Sequence, residues 1–395
     1  MSAVKARVVN TEHSAGVGLS TLTELPDITY TFKRSDTGTA SWSVPFSHPD
    51  LQRVSSLGPT GFGPKLTDFR IGVSATGDYG TWETVFGGFC GPVGLESDRS
   101  TVAVSGVDWL AWLDQLQRFP AYQNNLKTAA DVASININPT QWELVTDILS
   151  HTWDAGNPNE SVHITASFLP NLGAWSQTII FHLAMVGDNK TSLDYIKEVG
   201  AYNEPYGFEF WMQHDKTLIM YAPRRTSYVS ANSVQTFKPS LNNVTKISWQ
   251  NTGPIAVSTA GKSTALYDYD SYAPSRLVYR NWWQVKSYDN LNIKLDPTGK
   301  QLLAANDSVA THDRNPQHQL TLTFRPEDVA TDGDALYWFR NQLGKVITVE
   351  SEEMFMPYHK IEGKFWIDQQ TLTNDNVGNW TCELKLEQIY QTTAT

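Results

Sequence analysis

Two stretches at opposite ends of the chain share one local pattern. "VFGGFCGPV" (85–93) and "KIEGKFWID" (360–368) are aromatic-rich strands built around a glycine. Each is followed by a polar loop and then an alternating strand, "STVAVSG" in the first case and "WTCELKLEQ" in the second. Alternation sends every second side chain to one face, so each unit has to fold as antiparallel strands with one buried side. Any antiparallel barrel contains strand–loop–strand units. Two units of this aromatic type nevertheless predict an internal duplication of a β element. Cys90 falls in the first copy and Cys382 in the second, at positions that do not correspond.

The rest of the chain arranges itself around these units. Up to about residue 118, "DITYTFKRS", "GTASWSVPF", "LTDFRIGVS" and "TWETVFGGFCGPV" read as strands bounded by Pro45 and the turn "ATGDYG". "VDWLAWLDQL" then carries Trp109, Leu113 and Leu116 at helical spacing, a short amphipathic helix capping a barrel or sandwich. Residues 119–245 change character. Thr128 can cap a helix over "TAADVASI", with Asp131 at the favourable end of its dipole. "NPTQWELVTDILSHTW" places Trp142, Val145, Leu149 and Trp153 on one helical face. "TSLDYIKEVG" carries Leu193, Ile196 and Val199 and stops at Gly200. "FEFWMQ", the turn "HDKT" and "LIMYAP" follow as a hairpin. From 246 onward strands return, interrupted by an expected helix over "DGDALYWFRNQLG" with Asp332 or Asp334 as cap and Gly344 as stop. Residues 265–315, rich in Pro, Asn and Asp, are expected to form long loops or a small subdomain. The expected fold is mainly β with an α+β insertion, divided as 1–118, 119–245 and 246–395.

Composition excludes several classes of function. The chain has 395 residues, enough for two or three domains, and only 18% are charged, with a net charge of −11. Such an acidic surface does not attract nucleic-acid phosphates; it suits a passage along which DNA slides without sticking. The N-terminus lacks the apolar core of a signal peptide, and "TIIFHLAMVG" falls short of the roughly 18 apolar residues of a membrane span. A soluble, unexported chain is expected. Its 2 cysteines make no disulfide framework, which points to a reducing site of synthesis.

The motifs that suggest chemistry dissolve on inspection. Gly261-Lys262-Ser263 ends like a phosphate-binding P-loop, but the position that needs the first glycine is Ala256, and Pro274 follows where a helix should run. A Gly/Ser/Thr loop after the strand "NTGPIAVST" is expected instead. His312, Asp313 and His318 form the densest set that could hold a metal, in a segment of turn formers. Glu350, Glu352 and Glu353 read as an exposed turn at a strand end. His151 and Asp154 could supply a general base but sit at a helix end. No HExxH, CxxC or G-x-S-x-G pattern occurs. No catalytic residue, cofactor or metal site is expected. Of the 14 Trp, Trp109, Trp142, Trp153 and Trp338 lie on apolar helical faces, where core packing is the default. Trp42, Trp82, Trp249 and Trp366 sit in strands, and Trp282-Trp283 form a pair, where core packing or a sugar-stacking platform can result.

Three segments in order carry a family resemblance. "ASWSVPFSHPDLQRVSSLGP" is similar to the early strand and Asp/Pro turn of phage tail hub proteins. "VFGGFCGPV" through "STVAVSGVDWLAWL" resembles the rest of their first barrel. "TSLDYIKEVGAYNEPYGFEFWMQHDKTLIMYAP" resembles their middle domain, a helix followed by an aromatic hairpin turning at an Asp. The resemblance implies a minor tail protein at the tip of a long, non-contractile tail. Two tail-tube-like barrels would flank a middle α+β domain. A homotrimer of such chains would present six barrels, adapt the sixfold tube to a threefold tip, and form part of the DNA conduit. The implied partners are the tail tube or distal tail protein ring, the tape-measure protein, and other tail-tip and fibre proteins. The implied location is the virion tail tip, after assembly in the host cytoplasm. No lysozyme or peptidase module accompanies these segments. The rival expectations are a glycan- or receptor-binding tail protein and a cell-wall hydrolase.

Overall fold

The computed structural model describes residues 4–12, 18–23, 27–47, 67–75, 81–95, 100–115, 140–150, 162–169, 175, 191–200, 208–221, 232–251, 256–262, 267–272, 283–287, 318–329, 331, 333–350, 361–375 and 378–388. The protein is mainly β, as expected. The first part supplies β1 (Lys5–Glu12), β2 (Gly18–Thr23), β3 (Thr29–Lys33), β4 (Thr39–Pro45), β5 (Thr67–Ser74), β6 (Glu83–Leu95) and β7 (Thr101–Asp108). A short helix, α1 (Ala111–Gln115), follows. The middle holds α2 (Gln141–Ser150), β8 (Thr165–Leu169), α3 (Ser192–Gly200), β9 (Glu209–Met212) and β10 (Thr217–Tyr221). The last part runs through β11 (Thr236–Phe237), β12 (Lys246–Asn251), β13 (Ala256–Lys262), β14 (Tyr267–Tyr272), β15 (Trp283–Ser287), β16 (His318–Phe324), β17 (Val346–Glu350), β18 (Glu362–Asn374) and β19 (Trp380–Gln388).

Strand pairing repeats along the chain. In the first part the order is β3-β4-β7-β6-β5; in the last it is β12-β16-β19-β18-β17. Corresponding strands follow one another in the same chain order, and all eight adjacent pairs are antiparallel. The glycine-centred strings of the sequence become β6 and β18, each 13 residues long and each broken by a bulge against its hairpin partner. Pro92 sits in the β6 bulge, where its missing N–H removes no ladder bond. The two halves fuse where β3 pairs with β18, so 13 strands form one continuous sheet. One hydrophobic core runs beneath both halves, from Val8 and Tyr30 to Trp380 and Leu386.

The middle module is a separate cluster. β8-β10-β9 form a three-stranded sheet, with β8 and β10 parallel. The helices begin where side chains satisfy their first N–H groups. Thr140 and Glu143 exchange bonds in a capping box, as do Thr191 and Asp194. Trp109, Leu110 and Leu113 of the α1 region pack into this middle cluster with Leu193, Ile196 and Phe210.

Three expectations are corrected. The stripe through Trp142 holds at Val145 and Leu149, which are buried on α2 with Gln141, Leu144 and Ile148, but not at Trp142, which is 39% exposed; Trp153 lies outside the described residues. Within "DGDALYWFRNQLG", residues 333–344 form turns and one 3₁₀ turn at Tyr337–Phe339 in place of an α-helix. Its Gly344 does adopt φ +76°, packed so closely on Trp211 that a Cβ would lie 2.4 Å from the ring. Gly261 and Lys262 are strand residues opposite Asp268 and Tyr267, in a sheet of order β14-β13-β15, and not a loop. The expected helix at Thr128 and Asp131 lies outside the described residues.

Trp338 is fully buried against Phe237 and Phe324, with its Nε1–H donated to Thr331 Oγ1 at 3.0 Å. Trp338→Ala is expected to cost about 3–5 kcal/mol in denaturant unfolding, whereas Trp142→Ala costs no more than about 0.5 kcal/mol.

Candidate functional site

The described residues hold no cleft chemistry but do hold a charged junction where three parts of the chain meet. β3 ends at Lys33, and the chain turns at once: Ser35 adopts φ 54° and donates its N–H to Phe210 O at 2.7 Å. The turn leaves the Arg34 side chain only 8% exposed among three carboxylates. Its Nε donates to Asp368 Oδ1 at 2.8 Å, its Nη1 lies 3.1 Å from Glu209 Oε1, and its Nη2 donates to Glu387. Asp368 is the residue skipped in the β18–β19 register, so the bulge aims it at Arg34. Glu209 belongs to β9 of the middle module. One guanidinium thus ties the first part, the middle sheet and the last hairpin. Burial opposes its charge, but Glu209, Glu387 and Asp368 outweigh that and hold its pKa above the ordinary value. A planar fork with five donors is the side chain suited to bind three acids at once.

A second, more exposed crossing joins the halves. Arg340 donates to Glu83 of β6, its Nη2 to Oε2 at 2.7 Å, and also to Asp334. With each side chain more than a third exposed, this pair contributes less than the Arg34 junction. The β9–β10 hairpin is held from both sides. Trp109 Nε1 donates to His214 O at 3.0 Å, Lys216 Nζ stands 4.7 Å over the Trp109 ring, and Asn341 Nδ2 donates to Met212 O at 3.1 Å.

At the end of β7, Asp108 accepts N–H bonds from Gly38 at 2.8 Å and Leu110 at 3.0 Å. Burial pushes its carboxyl up to about 7, against the pull of those two donors. The unfolded chain ionises this group near 4. The fold therefore gains from the protonated carboxyl below that range, and the gain is lost as pH rises from about 4 to about 7.

Of the His, Asp and Glu residues singled out in the sequence as candidate sites, two are described, and they lie on different strands. Glu350 lies 3.3 Å from Lys238 Nζ at the end of β17. His318 opens β16 opposite Asn251. His151, Asp154, His312, Asp313, Glu352 and Glu353 lie outside the described residues. Among the described residues no three His, Cys, Asp or Glu are grouped to hold a metal. Among the described residues no helix is long and apolar enough to cross a membrane. Cys90 and Cys382 are free thiols, and burial raises both pKa values, that of Cys90 to about 12. Among the described residues Trp42, Trp109, Trp175, Trp211, Trp338, Trp366 and Trp380 are buried; Trp153 and Trp282 lie outside the described residues.

No family model and no curated protein matches the sequence. Solved structures match over almost its full length. A 43 kDa tail protein of prophage MuSo2 from Shewanella oneidensis superposes with a TM-score of 0.60 at 12% identity, covering 96% of this chain and 98% of that one. A tail protein from Neisseria meningitidis gives 0.56 at 14% identity, covering 98% and 97%. The prophage tail protein gp18 from Listeria monocytogenes gives 0.51 at 10% identity, covering 96% and 94%. The chain therefore has the fold of phage tail proteins, as the resemblance in its sequence implied.

Two substitutions probe the junctions. Arg34→Ala removes the guanidinium that Glu209, Asp368 and Glu387 share and is expected to cost about 3–5 kcal/mol in denaturant unfolding. Between pH 4 and 7, wild type should lose stability relative to Asp108→Asn; parallel pH profiles would contradict a carboxyl titrating near 7.

Proposed function

We propose that this chain is a structural protein of a phage tail or baseplate, serving as the hub at the tail tip. The observation that carries the reading is the repeated strand order within one sheet, in a fold matched end to end by prophage tail proteins. A chain with two equivalent β units offers six units per trimer. It can therefore dock on a sixfold tube while presenting a threefold surface below. In this reading 1–118 and 246–395 are the tube-like domains and 119–245 faces neighbouring tip proteins. The net charge of −11 suits a lumen that DNA crosses without adhering. The partners are other copies of the chain, the tail tube or distal tail ring, the tape-measure protein and tip or fibre proteins. No residue is assigned to catalysis. The burial of so many tryptophans favours this reading over a glycan platform.

Immunogold labelling of virions with antibodies to this chain tests the reading. Gold is expected at the distal end of the tail, and a nonsense mutation in the gene should leave capsids without functional tails. Label on the capsid, or intact infectious virions lacking the chain, would contradict it.

A further inference from the structure

Asp108 closes a clasp between two links of the chain. Its N–H donates to Gly38 O at 3.0 Å, and its carboxyl accepts the N–H of Gly38 at 2.8 Å and of Leu110 at 3.0 Å. Gly38 ends the turn between β3 and β4, and Leu110 lies on the link from β7 to α1. Backbone closes over Asp108 on both sides. A Cβ on Gly38 would stand 2.6 Å from Asp108 Oδ2, and one on Gly88 would stand 2.7 Å from Asp108 Cα. Contact that close leaves no room for water between the turn and the carboxyl. The two sides differ in firmness. Gly88 is held in ladders with both β5 and β7. β3 pairs with β4 from Thr29 to Thr31, and the turn lies beyond that ladder.

The same turn carries one end of the middle module. Ser35 donates its N–H to Phe210 O at 2.7 Å, and Lys197 Nζ of α3 lies 2.8 Å from Asp36 Oδ1. Arg34 anchors the near end of the turn, in the sheet through Asp368 and Glu387 and in the module through Glu209. The Asp108 clasp holds the far end. A buried carboxyl that loses its proton needs water or a cation. Lys33 of β3 favours the ionised form and Asp36 of the turn opposes it, while Lys33 and Lys197 both face Asp36. Water reaches the carboxylate when Gly38 moves away, and the turn yields more readily than the β6–β7 ladder.

We propose that residues 35–38 form a latch worked by the proton on Asp108: with the proton in place the latch holds the α3 end of the middle module on the sheet, and when the proton passes to solvent the turn lifts and frees that end, with Arg34 as the tether. The clasped carboxyl ionises at about 7. Once open to water it ionises at about 4. Opening is therefore favoured about tenfold per pH unit between these values and levels off above them. The latch stands on the clasp and the turn, independently of the tail reading.

Hydrogen exchange of the purified chain, read by mass spectrometry across this pH range and corrected for the chemical rate, tests the latch. Protection in 35–38, 110–115 and 192–200 is expected to fall about tenfold per pH unit as pH rises, and to level off near pH 7. Low denaturant should speed exchange in β16, β18 and β19 and leave those three segments nearly unaffected, which separates a latch from unfolding. Asp108→Asn keeps the shape of the neutral carboxyl and should flatten the pH profile with the segments protected. Lys33→Gln, which removes a cation that favours ionisation, should move the levelling-off to higher pH; it tests the latch even where Asp108→Asn fails to fold. A flat profile in wild type overturns the latch. So does a pH dependence that survives Asp108→Asn, a levelling-off that Lys33→Gln does not move upward, or exchange in these segments that tracks that of the sheet.

Discussion

Arg34 is the interaction on which the arrangement depends. The sheet could not run from one half to the other without β3 meeting β18, and the end of that joint is where Arg34 enters the interior. A guanidinium in that position needs acceptors, and the chain provides Glu209 from the middle module and Asp368 and Glu387 from the last hairpin. Hydrophobic burial drives the halves together without fixing their register. The charged cluster adds direction, because only one register brings all three acids within reach. Thr29 with Thr373 and Thr31 with Thr371 extend that selection along the strands.

The middle module is placed by the same joint. Glu209 and the Ser35–Phe210 backbone bond attach β9 at the turn after β3, while Trp109 and Asn341 hold the other end of the hairpin. A helix-bearing module is thereby fixed on a continuous β sheet. The sheet carries the repeat, and the module carries what the two halves do not share.

Much of this was legible locally. Thr140 with Glu143 and Thr191 with Asp194 announce helix starts because a capping box is a short-range bond. The β9–β10 turn at Asp215 and the paired strings of β6 and β18 are equally local. The Arg34 cluster was not legible, since its partners lie 175 to 353 residues away and no spacing rule links them. The segment 333–344 misled for a related reason. Its apolar residues have helical spacing, but Asp334 takes the Leu336 N–H, Asn341 takes the Leu343 N–H, and Gln370 takes the Gln342 N–H. Those side-chain acceptors replace the helical ladder. Trp142 misled because it flanks the buried face of α2, and helical spacing to Val145 and Leu149 does not fix where that face ends.

The measurement that bears most directly on the account is class-averaged electron microscopy of the purified chain. A trimer with two equivalent β units per molecule predicts a threefold particle with six peripheral densities around a central hole. Compact single-chain particles, or twofold dimers, would contradict it.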